Sequence, residues 1–301
     1  MAVVTADTQP TTWEFRLGSI FFNTCGEPDD LGCTWAMPTP DGWFSPESRV
    51  ATTDVPFADG AEISRVFFGA RILHGVGSVI APTWAALDQA IRRLHATTRL
   101  VDPAAPGVFV GRETDGDWGC GVLRGGKTAI TSRHGTPGGQ SVAEFDFLLV
   151  AGDPHKYSII PTVSIVRSST LAGGFSSPFT SPVVSTPDTD TLTATSTSVN
   201  SGDLDTPIVV TFYGPLSGPL LVDRLSGRRL GLTVDVPDGR TVVVDAQDQT
   251  VMADDTSMYS ALDPTSSPLD TLVVPGDGSC AWLLLGAGPG SAVVTSSSAK
   301  E

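Results

Sequence analysis

Four histidines, His74, His95, His134 and His155, are the first residues to test for chemistry, because imidazole titrates near neutrality and ligates metals. They are well separated, and none stands at a metal-binding spacing from another. His155 lies in DPHKY close to Asp153. An Asp–His dyad orients a general base, but it needs a nucleophile that the neighbouring sequence does not supply; the plain alternative is a histidine at a loop end. Cys25 and Cys33 frame the polar stretch CGEPDDLGC. They could close a small ring, ligate a metal with help from elsewhere, or remain two free thiols; no CxxC accompanies them and no histidine lies at a short ligand spacing. Cys120 and Cys280 sit in apolar, strand-like runs and read as small core residues.

Acidic clusters raise the question of calcium. ETDGDWG (113–119) and PDTDT (187–191) concentrate carboxylates, but neither fits the D-x-[DN]-x-[DN]-G-x5-E loop. Both read better as hairpin turns. KTAITSRHG places Lys127 and Arg133 together on an acidic chain, either as a solvated loop or as a contact for an acidic neighbour. There is no GxSxG elbow, no strand followed by GxGxxG, no P-loop and no HExxH. With 33 acids, some pair must fall at a glycosidase-like separation by chance, so that criterion carries no weight. The sequence therefore nominates no catalytic residue, no cofactor-binding residue, no cofactor and no metal ligand, and the chain is not expected to be an enzyme.

The elements that would position any site follow from composition and periodicity. The 301 residues carry 33 Asp or Glu against 18 Lys or Arg, a formal charge of -15. That balance argues against a nucleic-acid grip, which needs cations to neutralise phosphates. No stretch reaches the ~18 consecutive apolar residues of a membrane span. MAVVTADTQPTTWEF has neither a basic segment nor a long apolar run, so no secretory leader is expected. The 32 Gly and 23 Pro, with abundant Val, Ser and Thr, point to strands and turns.

Residues 25–48, with Trp35 and Trp43, read as a long loop or an irregular hairpin pinned by aromatics, and 61–73 as one or two strands. One helix is expected over 83–99: Thr83 is a natural N-cap, and Trp84, Leu87, Ile91 and Leu94 recur at helical spacing, with Asp88 and Arg92 able to pair. Residues 107–150 read as a meander of about four strands, the last of them alternating through Phe145, Phe147 and Leu149. Composition then shifts to Ser, Thr and Pro. This gives three parts: an N-terminal β domain over 1–165, a linker over 166–190, and a β-sandwich over 191–301, where many short strands are separated by Ser-Gly and Asp-Gly turns.

The order of these pieces resembles the distal tail proteins of long-tailed phages, the siphovirus-type minor tail or tail component proteins. Three stretches carry the likeness: ISRVFFGARILHGVGSVIAPTWAALDQAIRRLHATTR (63–99), EFDFLLVAGDPHKYS (144–158), and the C-terminal series NSGDLDTPIVVTFYG (200–214), LTVDVPDGRTVVVDAQDQTVMADDTSMYSALDP (232–264) and LDTLVVPGDGSCAWLLL (269–285). Segment 25–48 has no counterpart in that pattern. The resemblance implies a mainly β chain, with a tail-tube-like N-terminal β domain flanked by one helix and a galectin-like or jelly-roll C-terminal sandwich. It implies a homo-oligomeric ring, usually a hexamer, that joins the tail tube protein to the tail-tip hub, the tape measure protein and the receptor-binding parts. The location implied is the virion tail tip, after assembly in the host bacterial cytoplasm.

Two other readings compete. The sandwich could bind a host-surface glycan, for which Tyr213, Tyr259 or Trp282 would have to line a cleft. A tail-associated hydrolase is the weakest, having no nucleophile motif and no metal cluster. In a ring, the excess acid could line the lumen and repel passing DNA.

Overall fold

The computed structural model describes residues 14–24, 27–54, 59, 61–135, 139–169 and 195–301. The chain forms two compact units, the first ending at Ile159 and including Glu301, the second spanning Ile160–Lys300. Both are built of strands, and the described residues hold one α-helix.

The first unit contains β1 (Phe15–Leu17), β2 (Ile20–Phe22), β3 (Thr34–Ala36), β4 (Ser48–Asp54), β5 (Ala61–Phe68), β6 (Arg71–Ala81), α1 (Trp84–Thr97), β7 (Gly107–Glu113), β8 (Gly116–Arg124), β9 (Ala129–Gly135), β10 (Ser141–Ala151) and β11 (Lys156–Ser158). Its main sheet runs β2-β1-β7-β8-β10-β6-β3. The sheet curls until its ends meet: Asn23, after β2, donates its backbone N–H to the Trp35 carbonyl of β3 at 2.9 Å, and its side-chain oxygen accepts from Met37 N at 2.9 Å. The four strands expected over 107–150 are present, but not as a plain meander. β9 and β8 lie on the same side of β10, each pairing with a different part of it.

Alternation decides what fills the curl. Along β6 and β10 every second residue is buried, so Phe145 and Phe147 point inward with Leu73 and Val79. The two phenylalanines stack at 6.0 Å and meet Phe22 and Trp35, while Phe15, Trp43 and Phe109 form a second group. Each fully buried ring contributes ~2–3 kcal/mol. Room for Phe147 and Phe145 comes from Gly75 and Gly77, where a Cβ would lie 2.4 and 2.5 Å from a ring carbon. Both tryptophans of the 25–48 loop are buried, as expected for aromatics that pin it. The Trp35 indole N–H donates to Asp29 at 3.0 Å, and Asp29 also accepts from Leu31 N and Cys33 N.

Helix α1 starts at the expected cap, with Thr83 Oγ1 accepting from Ala86 N at 3.1 Å. Its buried face differs by one residue from the expected stripe. Leu87, Ala90 and Leu94 are buried, Ile91 is half-buried, and Trp84 is 41% exposed. At ~100° per residue, Trp84 lies about 60° to one side of Leu87 and Ala90 about 60° to the other. The sheet takes the small side chain and leaves the indole at the fringe, under the Arg133 guanidinium at 5.5 Å. Arg133 is also the residue that pairs with Asp88, rather than Arg92.

The second unit is a sandwich. One sheet aligns Arg229–Gly231, Ser217–Asp223, Ser279–Ala287 and Ser196–Val199. The other aligns Thr162–Ser169, Ser291–Ser296, Val209–Tyr213, Thr241–Asp245 and Thr250–Ala253. Phe212, Val210, Val244 and Val294 from the second sheet form a common core with Leu221, Trp282 and Leu284 from the first. Thr162–Ser169 joins the two: Thr162–Arg167 pair antiparallel with Ser291–Ser296, and Ser168 and Ser169 pair parallel with Leu284 and Leu285.

That strand revises the expected boundaries. The N-terminal domain was expected to run to 165 and a linker to begin at 166, yet Thr162–Ser169 is a strand of the second unit. Val163, Ile165 and Val166 are β-branched and burial alternates, with Ser164 and Val166 inside, but the Ser/Thr-rich composition that follows hides the signal. The remainder of the expected linker from 170 lies outside the described residues. A fragment comprising 160–300 is therefore expected to fold, whereas 191–301, lacking this strand, should lose its cooperative melting transition; circular dichroism of the two fragments checks this.

Candidate assembly surface

The sequence-level candidates resolve into structural parts. His155 does meet Asp153, with Nδ1 2.8 Å from Oδ1, and the Tyr157 hydroxyl donates to the other carboxylate oxygen at 2.7 Å. Burial, and then Asp153, push the Tyr157 phenol well above its ordinary value. Among the described residues no serine, threonine or cysteine hydrogen-bonds the His155 ring. Cys25 lies outside the described residues. Cys33 is buried and its thiol is pushed up to about 11, first by burial and then by Asp29. Burial likewise raises Cys120 to about 11 and Cys280 to about 12, so these thiols stay protonated and unreactive at neutral pH. Among the described residues no group of three or more His, Cys, Asp or Glu is placed to hold a metal ion.

The acidic ETDGDWG segment is the β7–β8 turn, where Asp115 accepts from the Trp118 indole at 3.0 Å and Asp117 pairs with Arg112 at 2.9 Å. PDTDT lies outside the described residues. KTAITSRHG forms β9, an edge strand whose Arg133 is committed to Asp88 and Trp84. Of the residues nominated for sugar stacking, Trp282 is 2% exposed and its indole donates to Ser198 Oγ at 2.8 Å, which closes it to a ligand. Tyr213 and Tyr259 are exposed, in different elements.

The feature that sequence patterning missed is the β4–β5 hairpin. It is a two-stranded sheet separate from the curled sheet, with pairs running from Ser48↔Phe68 to Asp54↔Ala61 and a bulge between Val50 and Thr52. One face carries Val50, Ile63, Val66 and Phe68; the other carries Arg49, Ala51 and Phe67. Exposure reaches 65% at Ile63, 59% at Phe67 and 56% at Val66. A two-stranded hairpin is marginal by itself, and contiguous apolar surface of this kind marks an interaction site. β5 lies within the strands expected over 61–73, whereas β4 carried no reading; the exposure of both was not legible, because an exposed apolar strand has the same composition as one in a core.

A second apolar area lies on the outer wall of the curled sheet. The outward residues of β6 and β10 pair as Ile72↔Val150, His74↔Leu148 and Val76↔Asp146. Ile72 is 41% and Val76 47% exposed, and His74 Nε2 sits 2.9 Å from Asp146 Oδ1.

No protein-family model and no curated protein matches the sequence. Solved structures do match over nearly the whole chain. The SPP1 Dit protein, described as a paradigm of the hub adsorption apparatus in phages infecting Gram-positive bacteria, aligns with a TM-score of 0.56 at 12% identity, over 88% of this chain and 93% of that one. The chain has the fold of SPP1 Dit. The Dit fold is the one implied by the resemblance to distal tail proteins, and it accounts for a mainly β chain with a curled sheet, one helix and a sandwich. The phage P2 baseplate in its activated conformation with Ca aligns with a TM-score of 0.46 at 8% identity, over 96% of this chain and 98% of that one.

Proposed function

We propose that this protein is a structural component of a phage tail tip. Copies associate through the first unit into a ring, six in number by the resemblance, that joins the tail tube to the tail-tip hub and the receptor-binding parts. The ring sits at the tip of the virion tail and is put together in the host cytoplasm. No step of chemistry is assigned to it. The observation that carries this reading is the Dit fold across both units, end to end rather than in one shared module.

The β4–β5 hairpin supports the same reading from the molecule itself. Val50, Ile63, Val66 and Phe67, exposed on two faces of a hairpin outside the curled sheet, are expensive to leave in water and are stabilised when a neighbouring subunit covers them. The purified full chain is expected to form a discrete closed oligomer, read as a mass near six chains by mass photometry and as a six-fold ring by negative stain. A chain that stays monomeric up to high micromolar concentration, and never purifies with virions, would overturn the proposal.

A further inference from the structure

The second unit carries a turn whose charge runs against the rest of the chain. Between the strands Ser217–Asp223 and Arg229–Gly231 the backbone turns through Arg224-Leu225-Ser226-Gly227, and Arg228 and Arg229 follow at once. Three arginines thus fall within six residues of a chain with a formal charge of -15. Among the described residues none of the three stands within ion-pair distance of a carboxylate. Arg228 donates from Nη1 to Val273 O at 3.2 Å, whereas Arg224 and Arg229 are exposed. The Asp263 carboxyl is lowered first by its Thr265 donors and last by Arg229, with which it makes no ion pair.

The turn is held in place from inside. The buried Asp223 carboxylate accepts from Leu225 N at 3.1 Å, Ser226 N at 3.2 Å and Ala281 N at 2.9 Å, and Gly227, at φ +75°, donates to Asp223 O at 2.8 Å. Those bonds leave Leu225 at the tip, 66% exposed. Beside it lies apolar ground. Arg229 pairs with Val222 and Val222 with Leu283, and this row faces outward because Asp223, Leu230 and Trp282 alternate inward. Val222 and Leu283 are half-buried. At ~4.8 Å between strands, the row from Arg229 to Leu283 is about 10 Å long.

We infer that this turn and its row bind a segment of another protein whose apolar centre is bordered by carboxylates. The apolar centre covers Leu225 and Val222, and the carboxylates take Arg224 and Arg229, whose planar guanidinium forks fit them two bonds at a time. A bare polyanion would satisfy the arginines and leave Leu225 in water. A neutral apolar segment would cover Leu225 and desolvate the arginines unpaired, which is costly. Because the turn is already ordered, docking costs it little conformational freedom. The surface belongs to the second unit alone, so it does not depend on copies associating through the first.

The test titrates the full-length chain with a labelled peptide of leucines bordered by glutamates. Two controls accompany it: the same peptide with serine in place of leucine, and inorganic polyphosphate. Wild type is expected to bind the leucine peptide at least about tenfold more tightly than the serine peptide, and to lose about tenfold with Leu225→Ser and about tenfold with Arg224→Gln/Arg229→Gln. All three side chains are exposed, and unchanged melting temperatures verify that folding is intact. Polyphosphate bound equally by wild type and L225S, with no preference for leucine over serine, would make the turn a plain polyanion patch and overturn the inference. So would a wild type that does not bind the leucine peptide, or variants that bind it like wild type. None of these outcomes touches the ring, which is read from particle mass.

Discussion

Replacing Gly42 with alanine is expected to destabilise the first unit by on the order of 4 kcal/mol. Gly42 sits at φ +82°, in the region that favours glycine, and a Cβ there would lie 1.9 Å from the Ile72 carbonyl oxygen. That obstacle is backbone, held in β6 by eleven residue pairs with β10, so it does not move aside. The turn would have to lift instead. Its carbonyls are the partners of Arg71, a fully buried guanidinium whose Nη1 donates to Gly42 O at 2.8 Å and Trp43 O at 2.6 Å, while Nε donates to Pro154 O at 2.7 Å. Losing two of those bonds strands a buried cation, which costs several kcal/mol. In urea the Gly42→Ala protein should show its first-unit transition at much lower denaturant, with the second-unit transition unmoved. An unshifted midpoint would mean that the turn is not pinned against β6.

The second large effect is expected at Asp223, 1% exposed in the sandwich. Burial alone would raise its pKa, but the Ser226 hydroxyl, Ala281 N–H, Leu225 N–H and Ser226 N–H all donate to it, and together they hold the carboxyl below its ordinary value. Asp223→Ala leaves those donors buried without their acceptor, at a cost of about 3 kcal/mol. The sign of the pH dependence follows from the depressed folded value. Stability from this group is fully present above its unfolded pKa of about 3.9 and is lost as pH falls through the folded value below that. Wild type and Asp223→Asn should therefore differ most at neutral pH and converge in strong acid, as read from melting temperatures of residues 160–300 across pH. A gap that stays constant from pH 7 to pH 2 would assign the effect to packing rather than charge.

Some of the molecule was legible in its sequence for reasons the structure now supplies. NSGD and PGDG, two of the motifs behind the family resemblance, turn out to be corners that dock on each other. Asn200 N donates to Gly278 O at 2.9 Å, Asp277 N to Gly202 O at 2.6 Å, and Gly276 N to Asp205 at 3.0 Å. Gly202 is needed because a Cβ would lie 1.9 Å from Ala299 O, and Asn200 satisfies the corner by donating to Leu204 O and Val274 O. Helix α1 was legible from its cap and period, down to the error at Trp84, where periodicity gives a stripe but only the facing sheet decides its width. Strand Thr162–Ser169 was hidden because the Ser/Thr-rich run after it blurs its β-branched signal, and its partner, Ser291–Ser296, is more than a hundred residues away. The hairpin was hidden for a different reason: nothing in a side chain's identity records whether its cover comes from its own chain.

The long-range pairing of Thr162 with Ser296 also sets a timetable. Every strand of the curled sheet's main path lies before residue 152, so the first unit can acquire its order while the rest is still being translated. The sandwich cannot. Its joining strand is synthesised first and must wait for its partner, which at ~5–20 residues per second is a delay of roughly ten seconds. During that interval the main path of the curled sheet has all of its strands, while the sandwich still lacks the partner of its joining strand and the first unit still lacks its last residue, Glu301.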